Sequence, residues 1–177
     1  ERIARKEQAE IDERVKKIES QLAKDSLEHE VRFRRVDQEV ADVLSNVYDK
    51  LFVLFERSHR FVRLGDDLQI IDKSDTRTPE ERVKEAHGRV DEANVIFKDS
   101  FFRKRLYVPE DLYVTVKEFH KELIGTVSDF THALARARET GRHIDSEQWQ
   151  ATMDRLNNDY SQVLDDITEA FQKRIGL

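Results

Sequence analysis

From Glu1 to Leu64 the chain contains neither proline nor glycine, and apolar residues recur through it at helical spacing. Ile11, Val15, Ile18 and Leu22 are followed by Phe33, Val36, Val40, Val43, Val47, Leu51 and Leu54. Steps of four and three alternate along this seam, the a/d pattern of a helix that pairs along its length. The pattern predicts one very long helix. At 1.5 Å per residue it would span roughly 95 Å. A compact domain of this size is far narrower, so part of the helix must project or pair with another chain.

The two halves of that helix differ. Over residues 1–30 the apolar seam is one residue wide, and the rest is mostly Arg, Lys, Glu and Gln. A stripe this narrow buries little and needs a partner helix, which predicts a coiled-coil stalk. From Val31 to Val62 the face widens to include Leu44, Tyr48, Phe52 and Phe55, as a bundle core requires. The predicted division is a stalk over 1–30 and a helical bundle over 31–177. Where the halves meet, only Ser26 and His29 bridge Leu22 to Phe33, an extra four-residue step that would unwind a coiled coil locally. Asp25 followed by Glu28 also matches a capping box, so a helix break there is the alternative.

Four helices are predicted in all. Leu64-Gly65 reads as the end of the first, and the long connection after it carries Leu68, Ile70 and Ile71 to tack it down. Thr78-Pro79-Glu80-Glu81 is a capping-box start with proline at the first helical position. Val83, Ala86, Val90, Ala93, Phe97 and Phe101 then form one face, ending near Arg103. Pro109-Glu110-Asp111 opens a third helix with the face Leu112, Val116, Phe119, Leu123, Val127, Phe130 and Leu134, closed by Gly141. Asp145 with Gln148 opens a fourth, whose seam is Trp149, Met153, Leu156, Tyr160, Val163, Ile167 and Ala170. Ile175 and Leu177 are expected to pack its last turn. Trp149 is expected to be largely buried. The fold class is all-α, an up-down bundle of about four helices whose first helix extends as the stalk.

Composition narrows the function classes. Charged residues make up 38% of the 177, with five glycines and two prolines, which fits long solvated helices. A formal charge of −6 argues against a general nucleic-acid binder. The absence of cysteine removes disulfides, zinc-thiolate sites and thiol catalysis, and suits a reducing compartment. No run reaches the length of a membrane span. The chain opens without an initiator Met and inside a helical pattern, so an upstream segment is expected.

Three segments carry a resemblance. Leu27-Glu28-His29-Glu30-Val31-Arg32-Phe33, Arg105-Leu106-Tyr107-Val108-Pro109-Glu110-Asp111-Leu112 and Glu169-Ala170-Phe171-Gln172-Lys173-Arg174-Ile175-Gly176-Leu177 resemble a set found in bacterial helical proteins of unknown function. Those proteins pair an "EHQVRF"-like start, a "RIYLPE"-like turn and an "EFRKLLG"-like end. The chain departs from them at Glu30, where they often have Gln, and at Val108, where Leu is frequent. The resemblance spans roughly residues 27–177 and implies a membrane anchor upstream of the charged stretch. It brings no known activity and no functional residue.

Candidate chemistry is sparse. A di-metal bundle site needs Glu-x-x-His motifs facing inward. Glu56-x-x-His59 matches and Asp129-x-x-His132 nearly does. At 100° per residue Glu56 lies about 140° and His59 about 80° from the Leu51 face centre, and Asp129 about 120° and His132 about 180° from Leu123. These side chains are therefore expected to face solvent. His87 and His120 fall at the edges of their faces and read as boundary residues. His29 sits on the seam, where a polar residue sets register at a cost in stability or simply marks a bundle edge. Phe101-Phe102-Arg103-Lys104-Arg105-Leu106-Tyr107 mixes bases with aromatics, a mixture that can bind single-stranded nucleic acid or a membrane surface. Its plainer reading is a core Phe101 and bases that favour a helix C-terminus. Arg57, Arg60 and Arg63 form a second basic cluster, offset by Glu56, Asp66 and Asp67. Neither a phosphate-binding glycine loop nor a nucleophile motif is present.

The functional expectation is a non-catalytic scaffold or interaction module, the soluble part of a membrane-anchored bacterial protein on the cytoplasmic side of the inner membrane, or otherwise a cytoplasmic one. Its partner is protein, a copy of itself in a homo-oligomer or another chain, held through Ile11, Val15, Ile18, Leu22 and His29. No catalytic residue, cofactor, metal or nucleic acid is expected, and membrane contact would come only through the upstream segment. The alternatives are a soluble adaptor docking its first helix on a partner, and a bundle-core di-metal enzyme.

Overall fold

A computed structural model describes the backbone of residues 2–67, 77–141 and 144–175, and the side chains among them save 2–15, 65–67 and 175. Helix α1 covers Arg2–Asp67, α2 Pro79–Arg103, α3 Glu110–Glu139, α4 Ser146–Asp154 and α5 Ser161–Ile175. A 3-10 turn, Arg105–Tyr107, leads into α3, and a π turn, Arg155–Tyr160, joins α4 to α5. Both ends of the π turn keep right-handed helical backbone, at Arg155 and at Ser161, so α4, the turn and α5 run on as one rod. Four rods and no strand are present among the described residues, and the protein is all-α.

The helix starts follow their side chains. Glu81 N–H donates to Thr78 Oγ1 at 3.2 Å, while Thr78 N–H donates to Glu81 Oε2 at 2.7 Å, a closed capping box before Pro79. Asp145 Oδ1 accepts from Glu147 N–H at the start of α4. Helix α3 ends through Gly141, which holds a left-handed φ of 62° where a side chain would be strained. Helix α1 is unbroken through Ala23–Glu28, and it also passes Gly65, ending at Asp67. The capping residues at Asp25 and Glu28 thus do not stop it, since nothing there opposes helix. The expected contacts of Leu68, Ile70, Ile71, Ile175 and Leu177 lie outside the described side chains.

The chain divides into two compact units, Glu1–Val40 and Ala41–Leu177. In the second, paired contacts fix an up-down order. Lys50, early in this part of α1, donates to Ser100 late in α2, and Phe61 meets His87 early in α2. Phe101 stacks on Tyr113 at the start of α3, and Glu80 pairs with Arg138 near its end. Tyr48 packs on Phe171, while Val62 accepts from Trp149. Each of these pairs joins one helix's early residues to another's late ones, so neighbours are antiparallel. Helices α1 and α3, which run the same way, meet at Phe55–Phe119 and Phe61–Phe130.

The core is built from Leu44, Val47, Leu51, Leu54, Phe61 and Val62 of α1 with Val90, Ala93, Phe97 and Phe101 of α2 and the expected face of α3, while Val83 and Ala86 of the expected α2 face are half-buried. Among the described residues two polar ones enter it, and both are satisfied. Ser58 donates to the Leu54 carbonyl one turn back, and Thr126 Oγ1 lies 2.8 Å from Tyr160 Oη.

Several core readings change, among them Phe52, expected on the bundle face but exposed at 41%. In the last rod the buried residues are Met153, Leu156, Tyr160, Leu164, Ile167 and Phe171, with Val163 and Ala170 only half-buried. At 100° per residue Leu164 and Phe171 fall about 40° and 20° from Tyr160, whereas Val163 and Ala170 fall about 60° and 80° away, so the first two take the core side. Val31, Phe33 and Val36, expected on the core-facing half of α1, are exposed in the first unit, and the buried run starts at Val43. A seam has the same period whether covered or bare, so its period could not locate that change.

Candidate interaction surface

Every described side chain from Lys16 to Glu39 is exposed. Among them are large apolar ones: Ile18 at 60%, Leu22 at 63%, Phe33 at 69% and Val36 at 54%. At 100° per residue Leu22, His29, Phe33 and Val36 share a sector of roughly 60°, so they make one stripe on the unbroken helix. Leu27 and Val31, also exposed, fall on the opposite side. Of the five seam residues named from sequence, Ile18, Leu22 and His29 stand bare to solvent, while the side chains of Ile11 and Val15 lie outside those described. Around His29, Asp25, Glu28 and Arg32 frame a shallow hollow of about 110 Å³. Charge along the flanks is tied within the helix, as Arg34 to Glu30 at 2.6 Å and Gln21 to Asp25 at 3.0 Å.

The histidine-carboxylate motifs do not converge. Glu56 is exposed and pairs with Arg60 at 3.1 Å. His59 is half-buried, turned toward the last rod, where its Nε2–H donates to Asn157 Oδ1 at 2.7 Å. Asp129 and His132 are exposed. Among the described residues no group of three or more His, Asp or Glu is placed to hold a metal ion. His87 is half-buried beside Asp91, 3.1 Å away, with its ring against Phe61. His120 is half-buried, donating from Nε2 to Asn94 Oδ1 at 2.7 Å and lying against Phe97. Burial, with repulsion from Lys98, lowers its pKa from 6.5 to about 4.

The basic-aromatic segment is held locally. Phe101 is buried between Phe97 and Tyr113. Arg103 pairs with Asp99, and Arg105 lies 3.9 Å over the Tyr113 ring while pairing with Glu110. Only Phe102 and Leu106 of its apolar residues stand exposed.

Two grooves in the second unit were not legible in the sequence. One, about 400 Å³, runs between α1 and the π turn, lined by Phe52, Phe55, His59, Leu156, Asn157 and Ser161 among others. The other, about 600 Å³, lies between α1 and α2 and is lined by Arg57, Arg60, Phe61, Arg63, Leu64, Ala86, Arg89 and Glu92. The arginine trio of α1 was visible as a cluster, but Arg89 joins it only through the antiparallel register of α2.

No helix among the described residues is long and apolar enough to cross a membrane. No family model, curated protein or solved structure matches the chain. The resemblance to bacterial helical proteins therefore rests on its three segments alone.

Proposed function

We propose that this chain is a non-catalytic interaction module that binds protein through the bare stripe of α1, with a second copy of itself as the first partner. One observation carries the reading: Ile18, Leu22, Phe33 and Val36 expose their side chains in line on a continuous helix. Isolated exposed apolar residues need no explanation, but a helical row of them at seam spacing fits a facing helix. Only a few apolar knobs are available, each worth about 1.5–3 kcal/mol at most when buried, against the cost of association. The pairing is therefore weak and benefits from anything that concentrates the chains.

Sedimentation across a concentration series tests this. The intact chain should self-associate, and a chain beginning at Asp37 should remain monomeric with little change in melting temperature. An intact chain that stays monomeric at high concentration and captures no partner would refute the reading.

A further inference from the structure

We propose that the groove between α1 and α2 binds an organic phosphate, with the guanidinium groups of Arg57, Arg60, Arg63 and Arg89 on the phosphate and an apolar body against Phe61 and Ala86. At about 600 Å³ the groove has the size of a small-molecule site. Its lining joins an apolar floor to four guanidiniums and one carboxylate, Glu92. Planar guanidinium forks match phosphate oxygens in pairs, and such charge-assisted bonds are the strong ones.

The present partners of these arginines are replaceable. Arg57 donates to Glu92 at 2.8 Å and to the Arg89 carbonyl at 3.0 Å, which holds its guanidinium toward α2. Arg60 pairs with Glu56 in an exposed bridge, and Arg89 pairs with Glu85, a carboxylate that also takes Arg77. Exposed bridges of this kind contribute little to stability, so an incoming phosphate displaces them at small cost. Arg63 is exposed and makes no ion pair among the described residues. Among the described side chains, the four lining guanidiniums thus face three carboxylates, Glu56, Glu85 and Glu92. One turn before Ala86 on α2, Arg82 Nε is buried without a hydrogen-bond partner, an unpaired donor on the side of α2 that lines the groove.

The test uses the whole ¹⁵N-labelled chain and follows amide shifts as phenyl phosphate is added, with phosphatidylcholine vesicles, plain or containing phosphatidic acid, as a second arm. Saturable shifts centred on Arg57, Ala86 and Arg89 are expected. Arg60→Ala with Arg63→Ala should weaken binding about tenfold or more, and Arg63→Lys should weaken it less. Arg103→Ala, outside the groove, should leave it unchanged. Response to phenyl phosphate identifies a soluble ligand, and response confined to phosphatidic acid identifies a lipid headgroup; both keep the phosphate chemistry. The proposal is overturned if neither phosphate probe gives saturable shifts, or if plain phosphatidylcholine binds as well. It is equally overturned if shifts centre on Arg103 to Arg105, or if the double variant, folded by circular dichroism, binds as the parent does.

Discussion

Thr126 Oγ1 and Tyr160 Oη lie 2.8 Å apart inside the bundle, one on α3 and the other closing the π turn. Both residues are buried, so each hydroxyl depends on the other for a partner that water would otherwise supply. The pair fixes the height of the last rod against α3 at the point where the backbone changes its hydrogen-bond period.

Removing both members should therefore cost less than the sum of removing each alone. Tyr160→Phe or Thr126→Val is expected to lower stability by about 1–3 kcal/mol, because a buried hydroxyl loses its partner. The double variant should cost less than the sum of the two. Urea unfolding of the four proteins measures the coupling, and strictly additive losses would contradict it.

Trp149, the only tryptophan, donates its indole N–H to the Val62 carbonyl at 3.1 Å. The seam placed Trp149 largely inside, and it is half-buried with its polar edge on the end of the α1 core run. Trp149→Phe keeps most of the packing and removes the bond, so a loss of about 1 kcal/mol is expected. Thermal unfolding checks this. Trp149→Ala should fall short of the cost of truncating a fully packed Trp, about 3–5 kcal/mol.

His120 makes stability depend on pH. Its folded pKa of about 4 lies below the ordinary 6.5, chiefly through burial and then through Lys98. Because the folded state resists protonation, the unfolded chain binds the extra proton between these values. The contribution is fully present above pH 6.5 and is lost as pH falls from 6.5 toward 4. Facing it from α2 are Asn94, which accepts from its ring, and Lys98, which repels the protonated form. His120→Gln should flatten the stability profile in that window relative to the parent. An unchanged slope between the two proteins would show that other groups set it.

What the sequence displayed and what it hid follow from the range of the interactions. The Thr78–Glu81 box and the Gly141 stop are local, made by residues three apart or by one residue's own backbone, and they were readable. The burial of Leu164 and Phe171 in place of Val163 and Ala170 was hidden by reading a strict four-three step, which drifts from the 3.6-residue turn over successive heptads. His59 reaches Asn157 because a position about 80° off the core face is solvent on one helix but becomes a groove wall beside a second. Arg89 joins Arg57 across two helices, and neither helix alone announces it. The stripe on α1 was fully legible as a pattern. Its extent was misjudged at Phe33 and Val36, whose spacing is that of core residues although they are exposed.

The stripe itself gives the sharpest prediction. If α1 pairs through it, the effect of a charge must depend on which side of the helix receives it. Leu22 and Phe33 fall within about 20° of each other, whereas Val31 lies about 160° from Phe33. All three are exposed, so a Glu at any of them should leave the stability of the bundle within about 0.5 kcal/mol of the parent. Leu22→Glu or Phe33→Glu should weaken self-association about tenfold or more, since each removes a knob and buries a like charge against its copy. Val31→Glu should have little effect. His29 provides the opposite sign. It occupies the stripe between Leu22 and Phe33, where a polar residue lowers pairing stability in exchange for register, so His29→Leu should tighten association. Sedimentation equilibrium on the parent and these four variants reads the whole set. A stripe that mediates pairing yields weakening, weakening, no change and tightening for Leu22, Phe33, Val31 and His29. Equal effects at Val31 and Phe33 would instead mean that the exposed residues associate without a face, and the interaction reading of α1 would fail.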